Sequence, residues 1–584
     1  MKRISFCVLA VLLCAHIVAA QKVPVQEVML DNGMRVLLVQ RRGDPNIAVG
    51  WVARVGSVNE RPGITGLSHL FEHMMFKGTH VIGTKDYTAH RKVLDEMDQV
   101  RADLRREEVA LIQKARLGEI TDAKDPKNRS ARHQQLRARF EELTKQEKEL
   151  MIKDEYDRIY TTAGGSGMNA GTSNDFTIYF INVPANKIEL WFWMESDRLA
   201  NHVFREFYSE RDVVHEERRL RTDSTPTGKF NELYESMFWQ SSPYGWPVVG
   251  WPSDLEGITR EEAEDYFAVN YAPNNLTACL VGDFEPARAA ELAKRYFGRL
   301  KRGTREPESV RTQEMPQLAE KRMTAYAETV PQVRVRYHTV ADGHPDDFAL
   351  NIMADLLNGR TGRLYKSLVV QQAVANNAFA NADGRKYEGL FELSGIAKPG
   401  KSPEEVEQAL YKEIERLQKE PVGAEELQKV KNQNAAGDFR RLQNNFSLMT
   451  QLLLRDSGRG WETINTDPAR VQAVTAEDIR RVANTYFKTE NRTVGVYYTK
   501  KPAAGAAVAA ADNDPLLAGL DDQEKAQVQQ MRGMLAQAKV EQVRAILGRI
   551  EQQGASAPAD KQDLMKVMKK LLEDRLKQLE GGTK

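Results

Sequence analysis

The chain repeats itself, and that repeat limits what it can fold into. Thr259-Arg260-Glu261 through Asn275-Leu276-Thr277 resembles Thr475-Ala476-Glu477 through Asn491-Arg492-Thr493, at an offset of 216 residues. Nearer the start, His69-Leu70-Phe71-Glu72-His73 falls opposite Asn351-Ile352-Met353-Ala354-Asp355, with Leu67 opposite Ala349 and Thr79 opposite Thr361, at an offset of 282. The offsets differ by 66, the length of one compositionally distinct stretch, residues 91–156. Self-similarity at a fixed offset marks repeated structural units. The pattern therefore reads as two homologous halves, the first carrying an insertion.

Local patterns fill in the halves. Residues 25–55 alternate like strands, with Asp31-Asn32-Gly33 as a tight hairpin turn. Residues 66–77 read as a helix and 169–183 as strand. The stretch 91–156 is dense in Arg, Lys, Glu and Gln. Val93, Met97, Val100, Leu104 and Leu111 keep a heptad-like seam, as do Leu136, Phe140, Leu143 and Leu150, with a turn at Asp125-Pro126. This predicts an antiparallel helical hairpin. Residues 301–318 and 502–515 read as linkers. Beyond them, Val540, Val543, Ile546, Leu547 and Ile550 share one helical face, and Leu571, Leu572, Leu576 and Leu579 another. Packing of this tail on its own chain and on a partner are both open at this point.

The first residues read as an export signal. Lys2 and Arg3 precede an apolar stretch, Ile4 to Val18, and Val18-Ala19-Ala20 offers small residues for cleavage before Gln21. Cys7 and Cys14 would leave with it, so Cys279 alone would remain and no intramolecular disulfide could form. No later segment is apolar for long enough to span a membrane. Lys+Arg (83) nearly equals Asp+Glu (82), so nothing in the charge suggests a nucleic-acid partner.

His69-Leu70-Phe71-Glu72-His73 carries the chemistry. On a helix, positions i and i+4 share a face, so both imidazoles can reach one ion. Zinc takes a third protein ligand and keeps a fourth position for water. Glu72, on the same side, is placed to take a proton from that water. The order is His-x-x-Glu-His. A bare pattern of this kind also occurs on surface helices. Here the flanks, Ser68 and Met74-Met75-Phe76, point to a mostly buried helix, where polar groups are costly. A third ligand should be a carboxylate on another helix. Glu210 and Glu217 are two turns apart and share a face, whereas His215 and Glu216 point elsewhere. Spacing alone does not choose between Glu210 and Glu217.

Gly66-Leu67-Ser68-His69-Leu70-Phe71-Glu72-His73-Met74-Met75-Phe76-Lys77-Gly78-Thr79 resembles the pitrilysin/insulinase family of zinc peptidases, and within it the processing-peptidase branch. Asn169-Ala170-Gly171-Thr172 and Glu210-Arg211-Asp212-Val213-Val214-His215-Glu216-Glu217 resemble two further family motifs in the expected order, and the likeness covers roughly residues 25–500. The resemblance implies one Zn2+ per chain on His69, His73 and Glu217, with Glu72 activating water. It implies that Glu210 supports the site by orienting a ligand. It puts Asn169 and Ala170 on an edge strand against which an extended peptide pairs its backbone. The fold it implies is α+β: two homologous domains, each an antiparallel sheet flanked by helices.

One departure stands out. Active members of the family carry an Arg and a Tyr in the second half, or in a partner subunit, that stabilise the developing tetrahedral oxyanion. Where the resemblance places them, this chain has Gln371-Gln372 and Phe379. Gln carries no charge and Phe no hydroxyl. Arg363 and Tyr365 fall in the family's structural Arg-Leu-Tyr/Phe segment.

The expectations are these. Residues 1–20 are a signal peptide, 21–300 a zinc-bearing domain with the hairpin at about 91–156, 319–501 a homologous domain without zinc ligands, and 502–584 a linker and helical tail. The chain is an exported, periplasmic or secreted zinc endopeptidase acting on peptides or unfolded segments. A homologous subunit, in a heterodimer or homodimer, completes its active site. The competing reading is a non-catalytic peptide-binding or scaffold subunit. The intact Glu72 argues against that reading. A closed structural zinc site would need another ligand such as His80.

Overall fold

The computed structural model describes residues 22–500, the helix Gln562–Gly581 and single helical positions between 524 and 550. The expected signal peptide (1–20), with Cys7 and Cys14, and the expected linker at 502–515 lie outside the described residues.

Two sheets organise the chain up to Thr499. The first contains β1 (Gln26–Met29), β2 (Arg35–Gln40), β3 (Asn46–Ala53), β4 (Ser166–Thr172), β5 (Thr177–Pro184) and β6 (Leu276–Gly282), in the order β1-β2-β6-β3-β5-β4. The second contains β7 (Lys321–Ala327), β8 (Gln332–Thr339), β9 (Ala375–Gly384), β10 (Gly389–Ala397) and β11 (Arg492–Thr499), in the order β7-β11-β8-β10-β9. The fold is α+β, as the resemblance implies. Each sheet is antiparallel except for one pair: β2 lies parallel to β6, and β7 parallel to β11. A parallel neighbour needs a long crossover, and here the rest of each half supplies it. Gly33 takes φ +89° at the predicted turn between β1 and β2.

The repeat is visible in the elements. Thr259 and Thr475 both cap helices through capping boxes, with Glu262 and Asp478 as the reciprocal partners. The helices they open, Arg260–Asn270 and Ala476–Tyr486, keep the 216-residue offset, and so do the first residues of β6 and β11.

Buried runs on both faces of the central strands show what covers them. Val36, Leu38, Val49, Trp51, Ala278 and Leu280 face one core. Leu37, Val39, Ala48, Val52, Cys279 and Val281 face another, shared with Leu448, Met449, Leu452 and Leu453. Those leucines belong to the helix Asn445–Gly458, which comes from the second half. Asp456, at the end of that helix, is fully buried and paired with Arg35 and Arg54 of the first half. The second sheet is covered in return: Phe230 and Tyr234, on the helix Gly228–Phe238, pack on Tyr497. Tyr234 Oη donates to Thr493 O at 2.8 Å. Gly228 and Asn444, the residue that caps Asn445–Gly458, are themselves 216 residues apart. The two halves have exchanged equivalent helices.

The metal-motif helix is α1 (Leu67–Met74). The hairpin follows as α2 (Tyr87–Arg116) and α3 (Ala131–Leu150), with Asp125 capping a short turn at Pro126. It begins four residues earlier than expected. Its seam also differs. Leu94, Met97, Leu104 and Leu111 are buried on α2, but on α3 the buried positions are His133, Leu143 and Glu147. Leu136, Phe140 and Leu150 are half-buried, because α3 rests part of its length on the body of the protein. Then come α4 (Glu155–Thr162), α5 (Ile188–Ala200) and α6 (Phe207–Arg218). The described residues beyond Thr499 belong to a second compact unit. In it Val543 and Leu572 are buried together, with Ile546, Leu547, Ile550, Leu571, Leu576 and Leu579 packed against them, so the two predicted apolar faces meet.

Candidate metal centre

Helix α1 is anchored at its start. Its N-cap is Gly66, at φ +89°, which offers no capping side chain. Glu60 takes that role: its buried carboxylate accepts from Gly66 N at 2.8 Å and Ser68 N at 2.7 Å. Burial pushes the Glu60 carboxyl up to about 8 against the pull of those two amides. Gly66 is also where backbones meet, since a Cβ there would lie 2.6 Å from Val249 O. Leu67, Leu70, Phe71 and Met74 face the core, which turns His69, Glu72 and His73 to the other side. Their spacing is that of one helical stripe.

Helix α6 supplies the carboxylates. Glu217 Oε2 lies 3.8 Å from His69 Nε2 and 3.4 Å from His73 Nε2. Among the described residues these three form the one group of His, Cys, Asp and Glu side chains arranged to hold a metal ion, with ligand atoms within 4.8 Å of one another. Separations of 3.4 and 3.8 Å suit donors each about 2 Å from one ion. The donor set, two imidazoles and a carboxylate, fits zinc with a position left open. The other oxygen of Glu217 is held by Arg221 at 2.5 Å.

Glu210 lies behind the imidazole, not beside Glu217. Its Oε2 is 3.4 Å from His73 Nδ1, and its other oxygen is bonded to Lys77, which also reaches Glu206 at 3.1 Å. Spacing left the two carboxylates equivalent, and their positions differ: Glu217 faces both imidazoles and Glu210 faces the back of one. Burial pulls the His73 pKa down, but Glu210 and Glu217 more than offset it, and the net shift is upward. His69 is held below its ordinary value by burial and then by the charge on His73. Burial raises the Glu210 carboxyl, and its bonds to His73 and Lys77 bring it below the usual range.

The remaining expected residues lie as follows. Asn169 and Ala170 are on β4, the edge strand, paired with Phe180 and Tyr179 of β5. The strand's other edge is unpaired in the sheet, and Thr172 Oγ1 reaches Ser68 O of α1 at 3.5 Å. Met168 and Asn169 line a cavity of about 270 Å³ with Phe76, Lys77, Tyr156 and Glu206. His80 is outside the three-residue group and stacks on Tyr87 at 4.1 Å. Glu216 pairs with Arg219, and His215 faces Glu256. Arg363 makes a two-pronged pair with Glu426. Gln372 bonds Ser367, and Phe379 is half exposed on β9.

Sequence reasoning passed over Glu60, Lys77, Glu206 and Arg221. Lys77 and Arg221 had a signal, each four residues after a site residue (His73 and Glu217). Glu206, four residues before Glu210 at the start of α6, had the same signal, and Glu60, which arrives through a loop, had none.

A profile described as Insulinase (Peptidase family M16) matches residues 35–119, and one described as Peptidase M16 inactive domain matches residues 257–434. The chain is similar to the zinc protease PqqE of Helicobacter pylori, 26% identical over 83% of this chain and 96% of that one. It is also similar to the beta subunit of a probable mitochondrial-processing peptidase of Arabidopsis thaliana, 22% identical over 81% of this chain and 77% of that one. Its fold is that of a solved protease from Helicobacter pylori (TM-score 0.67, 22% identity, 82% of this chain and 100% of that one). It is likewise that of the periplasmic protease PqqL from Escherichia coli (TM-score 0.59, 15% identity, 83% of this chain but 49% of that one). Profiles of M16 peptidases are thus matched in both halves of the chain, and the similar proteins named above are proteases or a processing-peptidase subunit.

Proposed function

We propose that the chain is a zinc endopeptidase that hydrolyses peptides or unfolded segments laid along β4. The observation that carries this is the convergence of His69, His73 and Glu217 on one point, with Glu72 on the same helix. In this reading the three hold one Zn2+. Bound there, the ion supplies Lewis-acid charge that polarises a peptide carbonyl and makes nearby water more acidic. Asn169 and Ala170 offer backbone groups on an unpaired edge, so an extended substrate adds as a strand. Glu72 takes a proton from water as its oxygen joins the carbonyl carbon. It returns that proton to the amine as the C–N bond breaks. Glu210 and Lys77 fix the ring of His73.

The reading includes a partner. Gln371, Gln372 and Phe379 cannot supply a charged donor and a hydroxyl to the carbonyl oxygen. A homologous subunit, in a heterodimer or homodimer, brings both. Two relatives support this: one is named as a subunit, and in PqqL the matched region is about half of one longer chain. Export to the periplasm fits the basic-apolar start of the sequence and the likeness to PqqL, a periplasmic protease. No helix among the described residues is long and apolar enough to cross a membrane.

The test is cleavage of a mixed peptide library by the mature chain, by its Glu72→Gln variant, and by each with the homologous subunit added. Activity that needs the partner and drops by about 10²–10⁴ in the variant, with zinc still bound, is the expected result. Equal activity with and without the partner removes the split site. No cleavage in any combination, with stoichiometric zinc, leaves the scaffold reading.

A further inference from the structure

The hairpin encloses a cleft that the metal chemistry does not use. A cavity of about 1010 Å³ runs between α2 and α3 on one side and α6 and the helix Pro252–Gly257 on the other. Nine of its lining residues are Lys or Arg, against four Asp or Glu. The whole chain carries a net charge of only +1, so this excess is local. Only part of it is spent on ion pairs. Arg101 grips Glu108 at 2.8 Å and Lys124 grips Glu256 at 2.6 Å. Arg105, Arg116, Lys145 and Lys148 have no carboxylate within ion-pair distance among the described residues.

The cleft is also lined by a buried cation that has no carboxylate within ion-pair distance among the described residues. Arg211 is 9% exposed, and its Nη1 donates only to the carbonyls of Glu256 and Ile258, at 3.0 and 3.2 Å. Its Nε is buried without a hydrogen-bond partner. Burial, then the charge of Arg101, lowers this guanidinium to about 10. A buried charge without an opposite one is costly, and an anion entering the cleft relieves it. Apolar carbon lies between the cations: Val109 and Ile112 are 53% and 43% exposed.

We propose that this cleft binds an acidic peptide segment carrying interspersed apolar residues. The cations are spread from Arg101 to Arg116 along α2, about 22 Å at 1.5 Å per residue. That is too long for a single small anion, which would also have no use for the apolar carbons. A groove between helices suits a chain; a bilayer would need a flat face. Helix-in-groove binding with charge complementarity is a known mode of peptide recognition. The proposal does not depend on the metal reading, because α6 turns Glu210 and Glu217 to its other face.

Fluorescence anisotropy on the full chain tests it, using a fluorescein-labelled peptide of alternating Glu and Leu and a matched Lys/Leu peptide. The expected result is saturable binding of the Glu/Leu peptide alone, weakened steeply by salt. The Arg105→Glu/Lys145→Glu variant should bind at least about tenfold more weakly, as expected for lost charge pairs. Both side chains are exposed, and an unchanged thermal melt confirms that the variant folds. Equal binding by variant and parent, or binding of both peptides alike, overturns the proposal. Binding to phosphatidylglycerol vesicles without binding to the peptide overturns it too, and assigns the cleft to lipid headgroups.

Discussion

His73 Nδ1 and Glu210 Oε2 stand 3.4 Å apart, on the side of the imidazole away from Glu217. Glu210 does not act alone: Lys77 holds it and is itself anchored on Glu206. Partners of this kind set ring orientation and tautomer, and their loss lowers metal affinity by about 10–100-fold. Lys77→Met and Glu210→Gln should each weaken zinc binding by that order, measured by competition with a chromogenic chelator. Parental affinity in both variants would show that the ring is fixed by packing alone.

The exchanged helices make the halves interdependent. A fragment ending at residue 318 lacks Leu448, Met449, Leu452 and Leu453, and so leaves Leu37, Val39, Ala48, Val52 and Val281 uncovered. It should show no cooperative melt and should self-associate on gel filtration. In the full chain, Leu452→Ala should cost about 2–5 kcal/mol, seen as a lower urea midpoint. A sharp melt of the fragment would show that the first half stands alone.

These outcomes bear on how the sequence can be read. The shared face of His69 and His73 was legible because a helix turns i and i+4 to one side, and the repeat was legible because Thr259 and Thr475 cap equivalent helices by the same side-chain geometry. The helix exchange was not. Leu448 and Leu452 show an apolar helical face but not which sheet it meets, since hydrophobic burial is non-directional. Glu217 and Glu210 had the same limit: both lie on one face of α6, and only their distances to His69 and His73 tell them apart. On α3, charge density gave no sign of which positions would be covered, and Glu147 and His133 are buried there.

Zinc should also stabilise the fold. A ligand at 1,000 times its Kd adds about 4 kcal/mol to a folded state that alone binds it. Excess chelator should therefore lower the melting temperature of the parent chain and leave that of His69→Ala unchanged. An equal response in both would place the metal elsewhere.

Acid should destabilise the second sheet through His338. Its ring stacks on Phe238 at 3.9 Å and 10°, and both ring nitrogens are buried without hydrogen-bond partners. Burial lowers its pKa to about 4, below the value of about 6.5 for an unfolded chain. The folded state therefore favours neutral imidazole. Its contribution is fully present above pH ~6.5 and is lost as the pH falls through about 4, on the order of 3 kcal/mol in all. His202, also lowered to about 4 by burial, adds a loss of the same sign. His338→Phe keeps the stack and removes the titration. Urea unfolding at pH 7 and pH 4.5 should then show a smaller acid loss in the variant than in the parent, with near-equal stability at pH 7. An identical loss in both would mean that His338 gains its proton in the folded protein without cost.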